Sequence, residues 1–156
     1  MKIRHPLFVG LVAAFAALLA GVAVSAVAAE TPFKGTVHAV ETGQVVFPTR
    51  FLDREGMGNA TYLGKYTEHV VMQINIPTLS SMGSATFTAA NGDTLSARVV
   101  GQATRTGPTA LSIVEDYTIT GGTGRFADAT GSFTLKSTLD QTTGVSSGTF
   151  SGAIDH

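Results

Sequence analysis

The sequence contains no cysteine and no tryptophan, and only 13% of its 156 residues are charged. Without cysteine the chain has no disulfides, no thiolate nucleophile and no lipid-bearing cysteine. It must therefore be stabilised by its own hydrophobic core. It also lacks the stripes of lysine and arginine that bind nucleic acid or anionic lipid. We expect no nucleic-acid partner and no cofactor.

The first 29 residues have the layout of a secretory signal peptide. A basic leader, Met1 to His5, precedes an apolar, uncharged run from Leu7 to Val24, and small residues follow as far as Ala29. Because the whole run is long enough to span a bilayer, an uncleaved anchor is the alternative. We favour cleavage because small residues crowd the end of the run. We therefore predict a signal peptide, 1–29, and one domain, 30–156, exported to the bacterial periplasm or secreted, without stable membrane insertion after cleavage.

The exported part alternates apolar residues with threonine, serine and charged residues at a period of two, which is typical of strands. Short strands separated by turn signals indicate a sandwich or a barrel, and closure leaves no exposed edge. We predict an all-β fold, an eight-stranded antiparallel β-barrel after an N-terminal signal helix. The predicted strands are 33–41, 44–50, 59–65, 67–76, 84–90, 93–104, 111–120 with a continuation at 132–140, and 146–154, with loops at 51–58 and 77–83.

The clearest hairpin signal is Asn91-Gly92, which joins the runs 84–90 and 93–99. Asn-Gly accepts a positive φ at both central positions of a two-residue turn. On the first strand, Ala85, Phe87 and Ala89 are expected to face the core. Leu95, Ala97 and Val99 are expected to face it from the second.

A glycine-rich stretch lies between the strand-like runs 111–120 and 133–139. Its four glycines, Gly121, Gly122, Gly124 and Gly131, indicate a tight structural turn, because glycine tolerates a positive φ and close backbone approach.

The residues Gly121-Gly122-Thr123-Gly124, Phe126, Ala129 and Gly131 resemble the G-G-T-G-x-F-x-x-A-x-G stretch of dirigent proteins. They are similar, less closely, to the corresponding turn of allene oxide cyclases, and the strings 58–64 and 90–93 resemble exported bacterial proteins of the same barrel type. The resemblance implies an eight-stranded antiparallel barrel with a cavity. Dirigent proteins steer the coupling of phenoxy radicals, and allene oxide cyclases close an oxylipin ring. Their functional residues lie outside this motif, so the resemblance assigns no catalytic residue here.

Glu115 is the candidate catalytic residue, because it shares its strand face with apolar neighbours such as Ile113 and Tyr117. An acid on an apolar face needs a partner or a raised pKa, and acids in cavities often carry chemistry. The alternatives are a bulge that inverts the face, or an ion pair with an arginine at the barrel mouth. Our candidate ligand-binding residues are Glu115, Tyr117, Tyr62 and Arg125. The tyrosines are equally plausible as core residues, and Arg125 as a clamp of the glycine turn.

Two other sequence features do not predict a functional site. The histidines of the exported part, His38, His69 and His156, have no metal-ligand spacing, so we predict no metal site. The string 144–148 matches G-x-S-x-G, but a nucleophile elbow requires a helix that cannot follow it here.

The leading hypothesis is therefore a non-enzymatic exported barrel that binds a small, mostly apolar ligand inside it or has a structural role. The alternative is an isomerase or cyclase that acts by confinement, with Glu115 or a tyrosine as its polar group. A third class, the outer-membrane barrel, is disfavoured because several strands are short and tryptophan is absent. The sequence leaves homo-oligomerisation open.

Overall fold

The computed structural model describes residues 31–156, which form a closed barrel of eight antiparallel strands. Each strand pairs with its neighbours along the chain, and β1 also pairs with β8, so the predicted closed barrel is confirmed. The predicted signal helix and the cleavage site lie outside the described residues. The strands are β1 Thr31–Val46, β2 Thr49–Ala60, β3 Gly64–Asn75, β4 Ser80–Ala89, β5 Thr94–Arg105, β6 Ala110–Gly122, β7 Thr130–Asp140 and β8 Val145–Asp155.

Because consecutive strands run in opposite directions, the connections alternate between the two ends of the barrel. The glycine end contains the connections 61–63, 90–93 and 123–129 together with Thr31 and His156. The far end contains the connections 47–48, 76–79, 106–109 and 141–144. A 3₁₀ turn, Gly124–Phe126, lies in the glycine end. Within residues 31–156 no helix is both long and apolar enough to cross a membrane.

Inward and outward positions alternate along every strand, as the period of two predicts. The half of the interior toward the glycine end is filled by aromatic side chains in mutual contact. The closest parallel pair is Tyr117 and Phe133, whose ring centroids lie 4.5 Å apart at an interplanar angle of 8°. A smaller apolar cluster, built from Leu111, Ile113 and Leu139, forms separately toward the far end. One continuous cluster therefore fills the interior toward the glycine end, and a separate, smaller cluster lies toward the far end.

The predicted loop over 51–58 is wrong, because these residues form the middle of β2, and the predicted strand 59–65 spans the turn 61–63. Glycine and acidic residues suit strands poorly in general, which made this segment look irregular. Tertiary packing overrides that preference, since Gly56 and Gly58 leave room for the side chains of Glu68 and Tyr66.

Other predicted boundaries also need correction. Segment 44–50 spans the turn between β1 and β2, and the loop predicted at 77–83 is shorter because β4 begins at Ser80. The runs 111–120 and 132–140 are two neighbouring strands, β6 and β7, rather than one continued strand. The total of eight strands is kept because the predicted strands 44–50 and 59–65 are lost, whereas β2 and a separate β7 are gained.

The hairpin at Asn91-Gly92 exists, but its turn differs from the prediction. Of these two residues only Gly92 has a positive φ, 89°, and its amide donates to the Ala89 carbonyl oxygen at 2.9 Å. The Asn91 side chain instead accepts a hydrogen bond from the Asp93 amide at 3.1 Å. A three-residue loop ending in a left-handed glycine is the next commonest hairpin solution. The residues predicted to face the core from both strands are buried: Ala85, Phe87, Ala89, Leu95, Ala97 and Val99.

Candidate functional site: a cavity beside a buried ion cluster

A cluster of charged side chains crosses the middle of the barrel. Arg54 on β2 donates from Nη1 to both carboxylate oxygens of Glu115 on β6, each at 3.0 Å. Its Nη2 donates to the Tyr117 hydroxyl at 2.6 Å, and that hydroxyl donates to Glu115 Oε2 at 2.8 Å. Arg54, Glu115 and Tyr117 are each only 1% exposed. Fixed, charge-assisted bonds of this kind are the strong ones, because the interior has a low dielectric constant.

Glu68 on β3 completes this ion cluster. Arg54 Nε lies 3.1 Å from Glu68 Oε1, which is an ion-pair distance. The two atoms do not meet the angular requirements of a hydrogen bond, and neither has another partner among the described residues. This contact is therefore a Coulombic attraction without a directed hydrogen bond.

Glycines on the neighbouring strands make the space for these carboxylates, because Gly56 pairs with Glu68 and Gly101 pairs with Glu115. A Cβ at Gly56 would come within 2.8 Å of Glu68 Cγ, and a Cβ at Gly101 would lie 3.0 Å from Glu115 Cγ. Larger residues there would push the acids away from Arg54. Glycine inside a strand often marks such a close approach.

The electrostatics of the ion cluster keep Arg54 charged and Tyr117 protonated. Burial alone would lower the pKa of Arg54, but Tyr117, Glu115 and Glu68 together raise it above its ordinary value. Burial raises the pKa of Tyr117 well above its ordinary value, so its hydroxyl remains a donor. Burial also raises the pKa of Glu68, and Arg54 opposes that rise. One guanidinium thus lies between the carboxyl groups of Glu68 and Glu115.

A second acid lies closer to the far end. Glu41 on β1 is 7% exposed, and its Oε2 lies 3.6 Å from Nη1 of Arg50 on β2. The Arg50 side chain is 27% exposed, so water screens this pair more than it screens the ion cluster. Burial raises the pKa of Glu41; Arg54 and Arg50 lower it by less, and Glu115 adds to the rise.

Between the ion cluster and the connections of the far end lies a cavity of about 220 Å³. Nine apolar side chains line it, two acids contribute to its wall, and polar residues surround it. The apolar lining is Leu52, Met72, Ile74, Ile76, Leu79, Ala103, Leu111, Ile113 and Leu139; the acids are Glu41 and Glu115; the remaining residues are Arg50, Ser81, Arg105 and Gln141. An apolar pocket with a few convergent polar groups is the usual form of a small-molecule site.

Wider depressions, of about 1050 Å³ and about 750 Å³, lie on the outside of the barrel. Outward-facing residues such as Phe51, Met82 and Val100 line the larger one, and Met57 lies in the other. Both are open to solvent and neither contains a residue of the ion cluster. The interior cavity is the better candidate because its acids are enclosed and positioned.

The structure divides the four predicted ligand-binding residues into two pairs. Glu115 and Tyr117 face inward and belong to the ion cluster, and Glu115 also lines the cavity. Tyr62 lies in the glycine end, 39% exposed, with its ring 4.7 Å from the His156 ring. Arg125 also lies in the glycine end, where its Nε is 3.8 Å from Asp93 Oδ2 and its guanidinium lies over the Phe126 ring. Tyr62 and Arg125 are thus separated from the cavity by the aromatic half of the core.

The glycine turn closes the end opposite the cavity. Gly121, Gly124 and Gly131 have φ values of 117°, 58° and 131°, and a Cβ at Gly122 would collide with the Thr94 carbonyl. Phe126 is fully buried beneath the turn. The stretch that most strongly suggested the fold therefore shapes the closed end and contributes nothing to the cavity.

Sequence reasoning missed Arg54, Glu68 and Glu41. The sequence predicts a loop at Arg54, and a loop has no inward face to which the residue could be assigned. Two signals could have found Arg54: its alternation with Leu52, and the need of an inward Glu115 for a cation. Glu115 has an arginine partner, as one alternative proposed, but that partner lies in the interior.

A further group of candidate metal ligands lies on the outer surface. His69 Nε2 is 3.3 Å from Asp53 Oδ1 and 3.6 Å from Glu55 Oε1, and all three side chains are at least half exposed. The pairing of β2 with β3 sets Glu55 opposite His69, which sequence spacing could not reveal. Because exposed ion pairs of this kind are common, the group does not establish a metal site.

The chain matches no protein-family model, no curated protein and no solved structure.

Proposed function

We propose that this protein is a non-enzymatic, exported binding protein that holds a small, mostly apolar ligand in the cavity between the ion cluster and the far end. The observation that carries the proposal is the mostly apolar interior cavity of about 220 Å³ with the buried acids Glu41 and Glu115 in its wall. A barrel of eight strands either fills its interior or holds one small ligand. Here the aromatic side chains fill one half and leave the other available.

The cavity limits the ligand to a small body. Its volume corresponds to about seven waters at liquid density, roughly 30 Å³ each. It is also below the usual range of drug-sized sites, roughly 300–1,000 Å³. The outward side chains of β7 and β8 are mostly threonine and serine, which supports a barrel that carries its ligand in water.

The test is ligand binding with a variant that fills the cavity. Ala103 lines the cavity from β5, and its neighbour Thr104 faces outward. We expect hexanol to bind the purified protein in calorimetry and to raise its unfolding temperature. Ala103→Phe should remove the binding, while Thr104→Phe, which places the same ring outside the barrel, should retain it. Binding that survives in a stably folded Ala103→Phe protein would place the ligand elsewhere.

The second candidate function is an isomerase or cyclase that acts by confinement, as the resemblance to allene oxide cyclases and dirigent proteins suggests. The observation in its favour is that Glu115 lines the cavity in a fixed orientation. Against it, Arg54 holds both carboxylate oxygens of Glu115, and Tyr117 donates to one of them, so the acid is poorly placed to accept a substrate proton. If turnover of a bound ligand is found, Glu115→Gln should abolish it; a pure binding protein should lose at most affinity.

A further inference from the structure

The acids at the cavity and in the ion cluster differ in how well they are paired. Glu41, Glu68 and Glu115 are buried, and the nearby guanidiniums are Arg54, Arg50 and Arg105, of which Arg105 lines the cavity but is exposed. Arg54 is fully engaged, since its three nitrogens contact Glu68, Glu115 and the Tyr117 hydroxyl. Glu41 is therefore the least firmly paired of the three acids, because its partner Arg50 is partly exposed and lies 3.6 Å away.

Glu41 and Glu115 both line the cavity, but both oxygens of Glu115 are already bonded to Arg54, so Glu41 is the acid more available to a ligand. It lines the cavity beside apolar walls, and its side chain is 3% exposed, so water satisfies it poorly. A buried carboxylate without sufficient partners is costly unless a proton or a cation neutralises it. The occupant that best complements this cavity therefore supplies a positive charge at one end and an apolar body at the other.

We propose that the ligand is a small organic cation, an amine with an apolar body, whose ammonium group pairs with Glu41. This inference rests on the proposed binding function. The apolar body would contact side chains such as Leu111, Ile113 and Leu139, and the ammonium group would donate charge-assisted hydrogen bonds to the carboxylate.

An anionic ligand suits the cavity less well. The negative charge of such a ligand would lie near Glu41 and Glu115, which are both buried in the cavity wall. The cations nearer the far end are Arg50, already paired with Glu41, and Arg105, which is exposed and donates to Gln141 Oε1 at 3.2 Å. Solvent-exposed cations attract an anion only weakly in competition with buried acids.

Ligand binding should release a proton. Arg50, Arg54 and Glu115 are the charged groups that act on Glu41, and burial raises its pKa despite the two arginines. An alkylamine, with a pKa near that of lysine, about 10.4, is charged throughout the neutral range. It must therefore displace the proton of Glu41 at low pH, so its affinity should rise with pH through the pKa of Glu41.

The test compares three probes with the same hexyl chain, hexylamine, hexanol and hexanoate, by calorimetry on the purified protein at about pH 5 and about pH 8. We expect hexylamine to bind at least about tenfold more tightly than hexanol at the higher pH, the size of effect expected for one charge-assisted bond. We expect this advantage to shrink at the lower pH, and hexanoate to bind most weakly.

Two variants distinguish the acid from general electrostatics. Glu41→Gln should remove the preference for hexylamine and its pH dependence while hexanol still binds. Glu55→Gln makes the same charge change on the outer surface and should leave the preference unchanged. If hexanol or hexanoate binds as tightly as hexylamine, or if Glu41→Gln keeps the preference, the cation proposal fails and the binding function remains. If none of the three probes binds, the binding function fails, and the cation proposal fails with it.

Discussion

Arg54 and Glu115 lie 61 residues apart in the chain, yet Nη1 of the arginine is 3.0 Å from both oxygens of the acid. Their strands, β2 and β6, are not neighbours in the sheet, so this bond crosses the interior. It therefore links β2 to β6, two strands that share no backbone hydrogen bonds. Stability, cavity shape and ligand preference should all depend on it.

Replacing Arg54 by methionine should destabilise the barrel by about 3–5 kcal/mol, because it leaves Glu68 and Glu115 buried without their cation. The cost should be smaller in mild acid, where protonation removes the unpaired charge. Urea unfolding at neutral and acidic pH measures both effects. Arg98→Met is the control, since Arg98 is exposed and its loss should change the free energy of unfolding by less than about 0.5 kcal/mol. Equal costs for the two variants would contradict the prediction.

Replacing Tyr117 by phenylalanine removes the hydroxyl that accepts from Arg54 and donates to Glu115, and keeps the ring stacked on Phe133. We expect a loss of about 1–3 kcal/mol, because the buried groups lose a shared partner. Thermal and urea unfolding measure it. Tyr62→Phe, at an exposed position, should have little effect. A Tyr117→Phe protein as stable as the original would show that the hydroxyl contributes nothing to the ion cluster.

Glu41 should make stability fall as pH rises. Its pKa is raised in the folded protein, mainly by burial, so the folded state holds its proton more tightly than the unfolded state does. The resulting stabilisation is complete below the unfolded pKa of about 4.3 and is lost as pH rises through the folded pKa. Glu41→Gln does not titrate, so its stability relative to the original protein should increase over that interval.

Urea unfolding between about pH 4 and pH 8 measures this difference. Glu55→Gln, outside the barrel, should follow the original protein closely across the range. Parallel curves for Glu41→Gln and the original protein would mean that Glu41 keeps its ordinary pKa.

Replacing Gly131 by alanine should destabilise the closed end by at least about 1–2 kcal/mol. Its φ of 131° is unfavourable for an L-residue, and the added Cβ would meet backbone atoms of Ala153 and Ile154. Gly107→Ala is the control, because its nearest neighbour lies 3.4 Å from the added Cβ and its φ is not positive. Thermal unfolding of both variants measures the contrast, and similar effects would show that the glycine turn adapts to a side chain.

The sequence predicted the fold better than the site. Alternation at a period of two is a local property, so it correctly placed Glu115 and Tyr117 on the inner face of β6. It failed over 51–58, where the glycines and charged residues that make the ion cluster also make the segment resemble a loop. The arginine and glycines that help to form the site thus made β2 harder to recognise as a strand from the sequence.

What the sequence determined by itself is most of the strands, the face on which most side chains lie, and the glycine turn, because these follow from local backbone preferences. The tertiary structure decided that Arg54 reaches Glu115, that Glu41 stands in the wall of the cavity, and that Tyr62 and Arg125 lie at the opposite end. Those relationships depend on which strands face one another across the closed barrel and how far each extends. Closure and packing set that geometry, and no local stretch of the chain contains it.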